Sequence, residues 1–170
     1  PRSFSTFTRS LPSWINEKLR LPRTLKRKLK YKGDIYFIPH HITHAASSFL
    51  VSPFKEAAIL TVDGVGEWTT TALGYGKDKD ITLKKEIQFP HSLGLLYSTI
   101  TAYLGFSVNN SEYKVMGLSA YGDMNRETNQ YYRKLKHVID VKEDGSYQLD
   151  MSYFVFHYKA SMPSRKLCQL

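Results

Sequence analysis

Ala57 to Val62 (AAILTV) is a compact apolar run with β-branched members, and it stops at the charged Asp63. A run of that length and composition suits a buried strand. Just before it, HHITHAASSFLVS (residues 40–52) places small and apolar residues at helical spacing and predicts a helix. Just after it, Gly64-Val65-Gly66 predicts a turn. Thr69 to Tyr75 (TTTALGY) and Ile81 to Phe89 (ITLKKEIQF) read as two more strands, joined as a hairpin through residues 77–80. Ser92 to Leu104 is apolar on more than one face and predicts a buried helix. Weaker signals fill the rest. Asp34 to Pro39 (DIYFIP) reads as a short strand stopped by proline, and Asn109 to Gly122 as a structured loop with one helical turn. Thr128 to Ile139 predicts an amphipathic helix with Tyr132, Leu135 and Ile139 on one side. A short strand from Tyr147 and a final helix close the chain. Strands and helices alternate loosely around an antiparallel hairpin, which indicates an α/β fold with a mixed sheet.

The 170 residues suffice for one domain with a core. No apolar run reaches the roughly 18–20 residues of a membrane span, so no membrane partner is expected. The N-terminus lacks the apolar stretch of a secretory signal. It begins with Pro rather than Met, and the expectation is that the true start is missing. The lone Cys168 builds neither a disulfide framework nor a thiolate metal site, which suits a reduced, cytoplasmic protein. The net charge of +9 is unevenly placed. Residues 1–33 hold ten Lys or Arg against the single Glu17, while the remaining residues hold fourteen of each sign. Such a segment can grip nucleic acid or anionic lipid. The plainer reading is preferred: residues 1–33 are a solvated basic linker with one or two helices, cut by Pro12 and Pro22. Nucleic acid is not expected, because the aromatic interleaving of a single-strand binder is missing. Residues 34–170 are then the folded domain.

Three groups of residues can carry chemistry. His40 and His44 stand one helical turn apart on one face, with His41 beside them, and two imidazoles so placed can share one divalent metal. Asp63, at the end of the apolar strand, is the natural third ligand, since a cation would offset the cost of a carboxylate in apolar surroundings. The alternative is that the histidines cap their helix and Asp63 merely opens a turn. The second group is Asp63-Gly64-Val65-Gly66-Glu67 with Thr69, Thr70 and Thr71, where glycine lets main-chain N–H groups approach a phosphate. The alternative is a plain turn, and neither Walker nor dinucleotide spacing is present. The third is Asn109 to Leu118, in which Lys114 can meet a phosphate and Glu112 a ribose hydroxyl, against the alternative of a surface ion pair. His91 is expected to cap the helix that follows it. His137 and His157 read as structural. Ser47 and Ser48 lack the partners of a serine hydrolase. No residue is assigned as catalytic.

Taken in order and at their spacing, HHITHAASSF, LTVDGVGEW, EIQFPHSLGLLYSTITAYLGF and SEYKVMGLSAYGD resemble the O-carbamoyltransferases of nodulation-factor and antibiotic biosynthesis (the NodU/CmcH family). The resemblance runs from about Ile38 to the C-terminus. It implies a partial actin-like ATPase domain (ASKHA, Kae1-like) with a mixed sheet and helices, followed in the whole protein by a YrdC-like domain. It implies that carbamoyl-adenylate, made from carbamoyl phosphate and ATP, gives its carbamoyl group to a hydroxyl of a small-molecule acceptor such as a nodulation factor or an antibiotic-like metabolite. The family's HxxxH pair falls on His40 and His44 and its strand-end aspartate on Asp63, implying a site for Fe(II) or another divalent metal. Asp63, Gly64, Val65, Gly66 and Glu67 would lie at the nucleotide phosphates, and Glu112 and Lys114 along the nucleotide pocket. The chain departs from the family in lacking an opening strand with an HD-type motif, a further metal-ligating aspartate and the YrdC-like domain. Its end, FHYKASMPSRKLCQL, falls inside a family motif. The expectation is therefore a fragment that does not turn over alone. Two other readings stay open: a tRNA threonylcarbamoyltransferase-like protein, and a non-catalytic nucleotide- or metal-binding module.

Overall fold

The computed structural model describes residue 8, residues 11–12 and residues 14–170. The chain divides into two compact units, Pro1–Ile38 and Pro39–Leu170.

In the first unit, a π-helical turn (Trp14–Lys18) precedes helix α1 (Leu21–Lys28). Pro22 was expected to cut this segment. It sits instead in the first turn of α1, where its missing N–H leaves no hydrogen bond unmade. The expected strand over residues 34–39 is not formed. That stretch is irregular, with Tyr36, Phe37 and Ile38 exposed, because no described strand pairs with it. Among the described residues, no helix is long and apolar enough to cross a membrane.

The second unit mixes helices with two antiparallel sheets. Pro39 precedes helix α2 (His40–Phe49), whose buried side is the i, i+4, i+8 series His41, Ala45 and Phe49. Strands β1 (Glu56–Gly66), β2 (Thr69–Lys77) and β3 (Asp80–Gln88) form a three-stranded meander in the order β1-β2-β3. Ala45 and Phe49 pack with Ile59, and Ala57 and Ile81 close the edges of this small core. Gly76 makes room for the Phe49 ring, since a Cβ there would lie 2.6 Å from it.

Two expectations for the first strand need correcting. It is buried on one face only, where α2 packs: Ile59 and Thr61 are covered while Leu60 and Val62 on the opposite face are exposed. And Gly64-Val65-Gly66 is not the turn. The strand runs on to Gly66, and the chain reverses at Glu67-Trp68, where Glu67 has φ +64°. Val62 pairs with Thr71 and Gly66 with Thr69, so Asp63, Gly64 and Val65 together face the single Thr70. The glycines serve a β-bulge, which bends the strand and re-aims its side chains.

Helix α3 (Leu93–Tyr103) follows with Ser92 as its N-cap, the hydroxyl oxygen accepting from the Leu95 N–H. It was expected to be buried throughout. Its fully buried positions are Ser98, Thr99 and Thr101, while Tyr97 and Tyr103 are exposed. His91, the expected cap, instead accepts the Leu149 N–H at Nδ1 (3.1 Å). Helix α4 (Glu112–Leu118) is longer than the single turn expected. Helix α5 (Gln130–Leu135) is shorter than expected: residues 136–138 tighten into a 3-10 turn, Val138 enters the core, and Ile139 opens strand β4 (Ile139–Val141). Strand β4 pairs with β5 (Tyr147–Leu149), and helix α6 (Arg165–Cys168) closes the chain. Val138, Leu149, Tyr153, Phe154 and Leu167 make the second core. Tyr147 ties it to the meander, its hydroxyl bonding Thr71 Oγ1 (2.7 Å) and accepting the Leu93 N–H (3.3 Å).

Candidate metal centre

The buried stripe of α2 fixes the helix on the sheet, so the residue preceding each buried position is swung about 100° around the axis. Those residues include His40 and His44. On β1 the covered side carries Ala57, Ile59 and Thr61, and the next position of that period is Asp63. The first turn of the helix and the end of the strand therefore meet. His40 Nε2 lies 2.6 Å from Asp63 Oδ2, His44 Nε2 lies 3.4 Å from the same oxygen, and the two Nε2 atoms are 2.9 Å apart. All three side chains remain partly open to solvent.

Neighbouring groups hold this cluster in shape. His41 is buried; the Thr69 carbonyl it faces at 2.9 Å can only accept, so Nε2 donates to it, and Nδ1 is hydrogen-bonded to the Thr61 hydroxyl at 2.7 Å. This locks the start of α2 to β1 and β2. Gly66 makes room for the His40 ring: a Cβ there would stand 2.3 Å from His40 Cδ2. On the other side of Asp63, Gly94 lets α3 rest directly on the strand, where a Cβ would fall 2.6 Å from both the Asp63 carbonyl oxygen and the Gly64 nitrogen. The Ser92 hydroxyl donates to the Gly64 carbonyl (2.7 Å). Burial alone would push the Asp63 carboxyl up. Hydrogen bonds from the Gly64 N–H (2.6 Å) and from His40 and His44 outweigh it and hold the group below the usual carboxylate range.

Three donor atoms that converge on one point suit a cation better than they suit one another, because a single proton on His40 Nε2 cannot serve both of its neighbours. Two ligand atoms each about 2.1 Å from an ion and at right angles lie about 3 Å apart. The observed separations straddle that value, and two imidazoles with one carboxylate are a donor set that Fe(II) and Zn(II) accept.

Beside the cluster, an open groove of about 450 Å³ runs between the end of β1, the first turns of α3 and the start of α4. Asp63, Gly64, Gly94, Ser98, Asn109 and Glu112 line it. The Glu112 carboxylate accepts the Asn109 N–H (2.8 Å), the Ser98 hydroxyl (3.1 Å) and the Ser111 N–H (3.2 Å). The Asn109 bond is the main cause that holds it below the ordinary range. Val65, Gly66, Glu67 and Lys114 do not line this groove. Glu67 is at the exposed hairpin reversal, and Lys114 is exposed with Nζ 5.9 Å from the Tyr113 ring centre. The Gly64 N–H is taken by Asp63. Sequence reasoning missed His41, Ser92 and Gly94 as supports. Only Gly94, a glycine inside a helical pattern, left a local signal of close approach.

The fold and site define a mixed α/β domain with antiparallel sheets that gathers two histidines and an aspartate at the mouth of a groove. The family model for the carbamoyltransferase N-terminus matches residues 2–170, and the chain belongs to that family. It is 44% identical over its whole length to an uncharacterised protein of Synechocystis sp., of which it covers 28%. It is 44% identical to the nodulation protein NolNO of Sinorhizobium fredii over 64% of this chain and 16% of that protein. With the nodulation protein NolO of Bradyrhizobium diazoefficiens the figure is 34%, over 66% of this chain and 20% of the relative. The chain thus spans little more than a quarter of the length of these relatives at most.

Proposed function

We propose that this chain is the ion- and nucleotide-holding part of a cytoplasmic O-carbamoyltransferase built on an actin-like ATPase (ASKHA, Kae1-like) domain. In this reading carbamoyl-adenylate, made from carbamoyl phosphate and ATP, passes its carbamoyl group to a hydroxyl of a small-molecule acceptor. The convergence of His40, His44 and Asp63 is the observation that carries it. Membership of the carbamoyltransferase family supports the reaction class. The two relatives named nodulation proteins support a small hydroxylated metabolite over tRNA as the acceptor.

His40 and His44 present Nε2 lone pairs and Asp63 supplies the compensating negative charge, so these three hold Fe(II) or another divalent cation. When bound, that cation supplies a Lewis acid for a carbonyl or phosphate oxygen. Gly64 and Gly94 leave the floor of the groove bare, and the N-terminal end of α3 offers the positive end of its dipole to a nucleotide phosphate there. The Glu112 carboxylate lines the groove, where a ribose hydroxyl could exchange for one of its present donors. No contact is assigned to Lys114.

The test is anaerobic Fe(II) titration of the chain and of His40→Ala and His44→Ala, with carbamoyl transfer measured on the full-length enzyme carrying the same changes. The expected result is one equivalent bound by the wild type and affinity reduced at least about 10–100-fold in each variant, with transfer falling alongside. Unchanged iron binding and unchanged transfer would sink the proposal. Assays of the full-length enzyme with tRNA and with a small hydroxylated acceptor separate the two branches of the chemistry.

A further inference from the structure

The site above makes no use of residues 1–33, which hold the whole net charge of +9. Eight of their ten Lys and Arg residues fall within residues 14–33. In α1 three of the four basic residues are sorted by direction, and Lys28 falls beside the leucines. Arg23, Lys26 and Arg27 share one side, while Leu21 and Leu25, continued by Leu29 at the C-cap, recur every four residues along the other. The helix buries no residue. Leu21 and Leu29 are 41% and 70% exposed, and Trp14 in the preceding turn is 50% exposed. A solvated basic helix or linker, as read from the composition, has no use for a tryptophan and a leucine row displayed to water.

We infer that residues 14–32 form a peripheral membrane contact, in which α1 lies along an anionic bilayer surface with Leu21, Leu25, Leu29 and Trp14 entering the interface and the basic side facing lipid phosphates. A helix with a cationic side and a Leu/Trp side takes that orientation. Neither signal suffices alone: a short apolar row gives marginal, reversible binding, and the polybasic charge supplies the second anchor. Nucleic acid would account for the charge but would leave the apolar row without a partner, and single-strand binding uses aromatic platforms spaced along a groove. The contact lies on the surface and is not a span, in keeping with the absence of any membrane-crossing helix among the described residues.

The test is vesicle flotation of the full chain with phosphatidylcholine alone and with about one-third phosphatidylserine. Preferential binding to the anionic vesicles, at least about tenfold, is expected, with a blue shift of tryptophan emission that Trp14→Phe removes. Leu21→Ser with Leu29→Ser, which leaves the charge unchanged, should weaken partition at least about fivefold, while Arg23→Glu with Arg27→Glu should nearly abolish it. Circular dichroism checks that each variant keeps its fold. Failure to float with anionic vesicles overturns the inference. So does flotation that ignores the leucine changes, and so does tight binding of polyuridine or duplex DNA without vesicle partition, which would assign the segment to nucleic acid.

Discussion

Gly66→Ala should separate the ion grip from the stability of the fold. The added Cβ would stand 2.3 Å from His40 Cδ2 and 2.7 Å from Cγ, so the ring must retreat by at least about 1 Å to reach ordinary contact. Ring rotation relieves the contact at Cδ2, while His40 Cβ, 3.1 Å away, makes the first turn of α2 give by a few tenths of an ångström. The lost His40–Asp63 hydrogen bond costs about 1 kcal/mol, and alanine in place of glycine within a strand returns about 0.5–1 kcal/mol. With the small shift of α2 included, the net loss of stability should stay below about 2 kcal/mol. Fe(II) affinity should fall sharply: displacing His40 removes one of three ligand atoms, a loss of at least 10–100-fold by the scale of lesser perturbations around metal sites. Gly64→Ala is the matched control, because its Cβ would meet only Leu95 Cδ2 at an ordinary 3.8 Å. Its affinity should remain within about twofold. Titration calorimetry under nitrogen reads the affinity and chemical denaturation reads the stability. Wild-type Fe(II) binding by Gly66→Ala would show that the His40 ring position is not what holds the ion.

Gly94→Ala should be costlier to the fold, since its Cβ meets backbone atoms at 2.6–2.7 Å that cannot rotate away; about 1–3 kcal/mol should be lost in urea denaturation. Tyr147→Phe removes a buried hydroxyl that joins β5 to β2 and α3, and should lower stability by about 1 kcal/mol, read as a shifted denaturation midpoint at constant slope. The Asp144 carboxyl, held down to about 2 chiefly by the Ser146 hydroxyl, should titrate there by carbon-detected NMR and rise toward the ordinary value of 3.8 in Ser146→Ala. Because its folded value is depressed, whatever Asp144 contributes is complete above the ordinary value and fades as pH falls toward about 2.

The parts of this architecture legible beforehand were those written in local periodicity. The α2 helix, the β2–β3 hairpin and the His40–His44 stripe follow from spacings of four and two residues, and Asp63 from the abrupt end of an apolar run. What escaped was set by partners far along the chain. Residues 34–39 have strand-forming side chains but no described strand to pair with. The 128–139 helix was cut short because Val138 and Ile139 are drawn to the core and to Leu149, ten residues on in the register. Glycines at 64 and 66 looked like a turn because nothing in the sequence shows that Asp63–Val65 must bulge past Thr70. His91 bonds Leu149 rather than the helix after it, and His41 bonds Thr61 and Thr69, contacts that no window of a dozen residues contains.

The placement of Gly94 has a mechanical corollary. The first turn of α3 bears on the very peptide unit that carries Asp63, so a tilt of that helix is passed directly to the carboxylate, with no side chain in between to absorb it. Any displacement of that turn would reach the Asp63 carboxylate through a lever no longer than one turn.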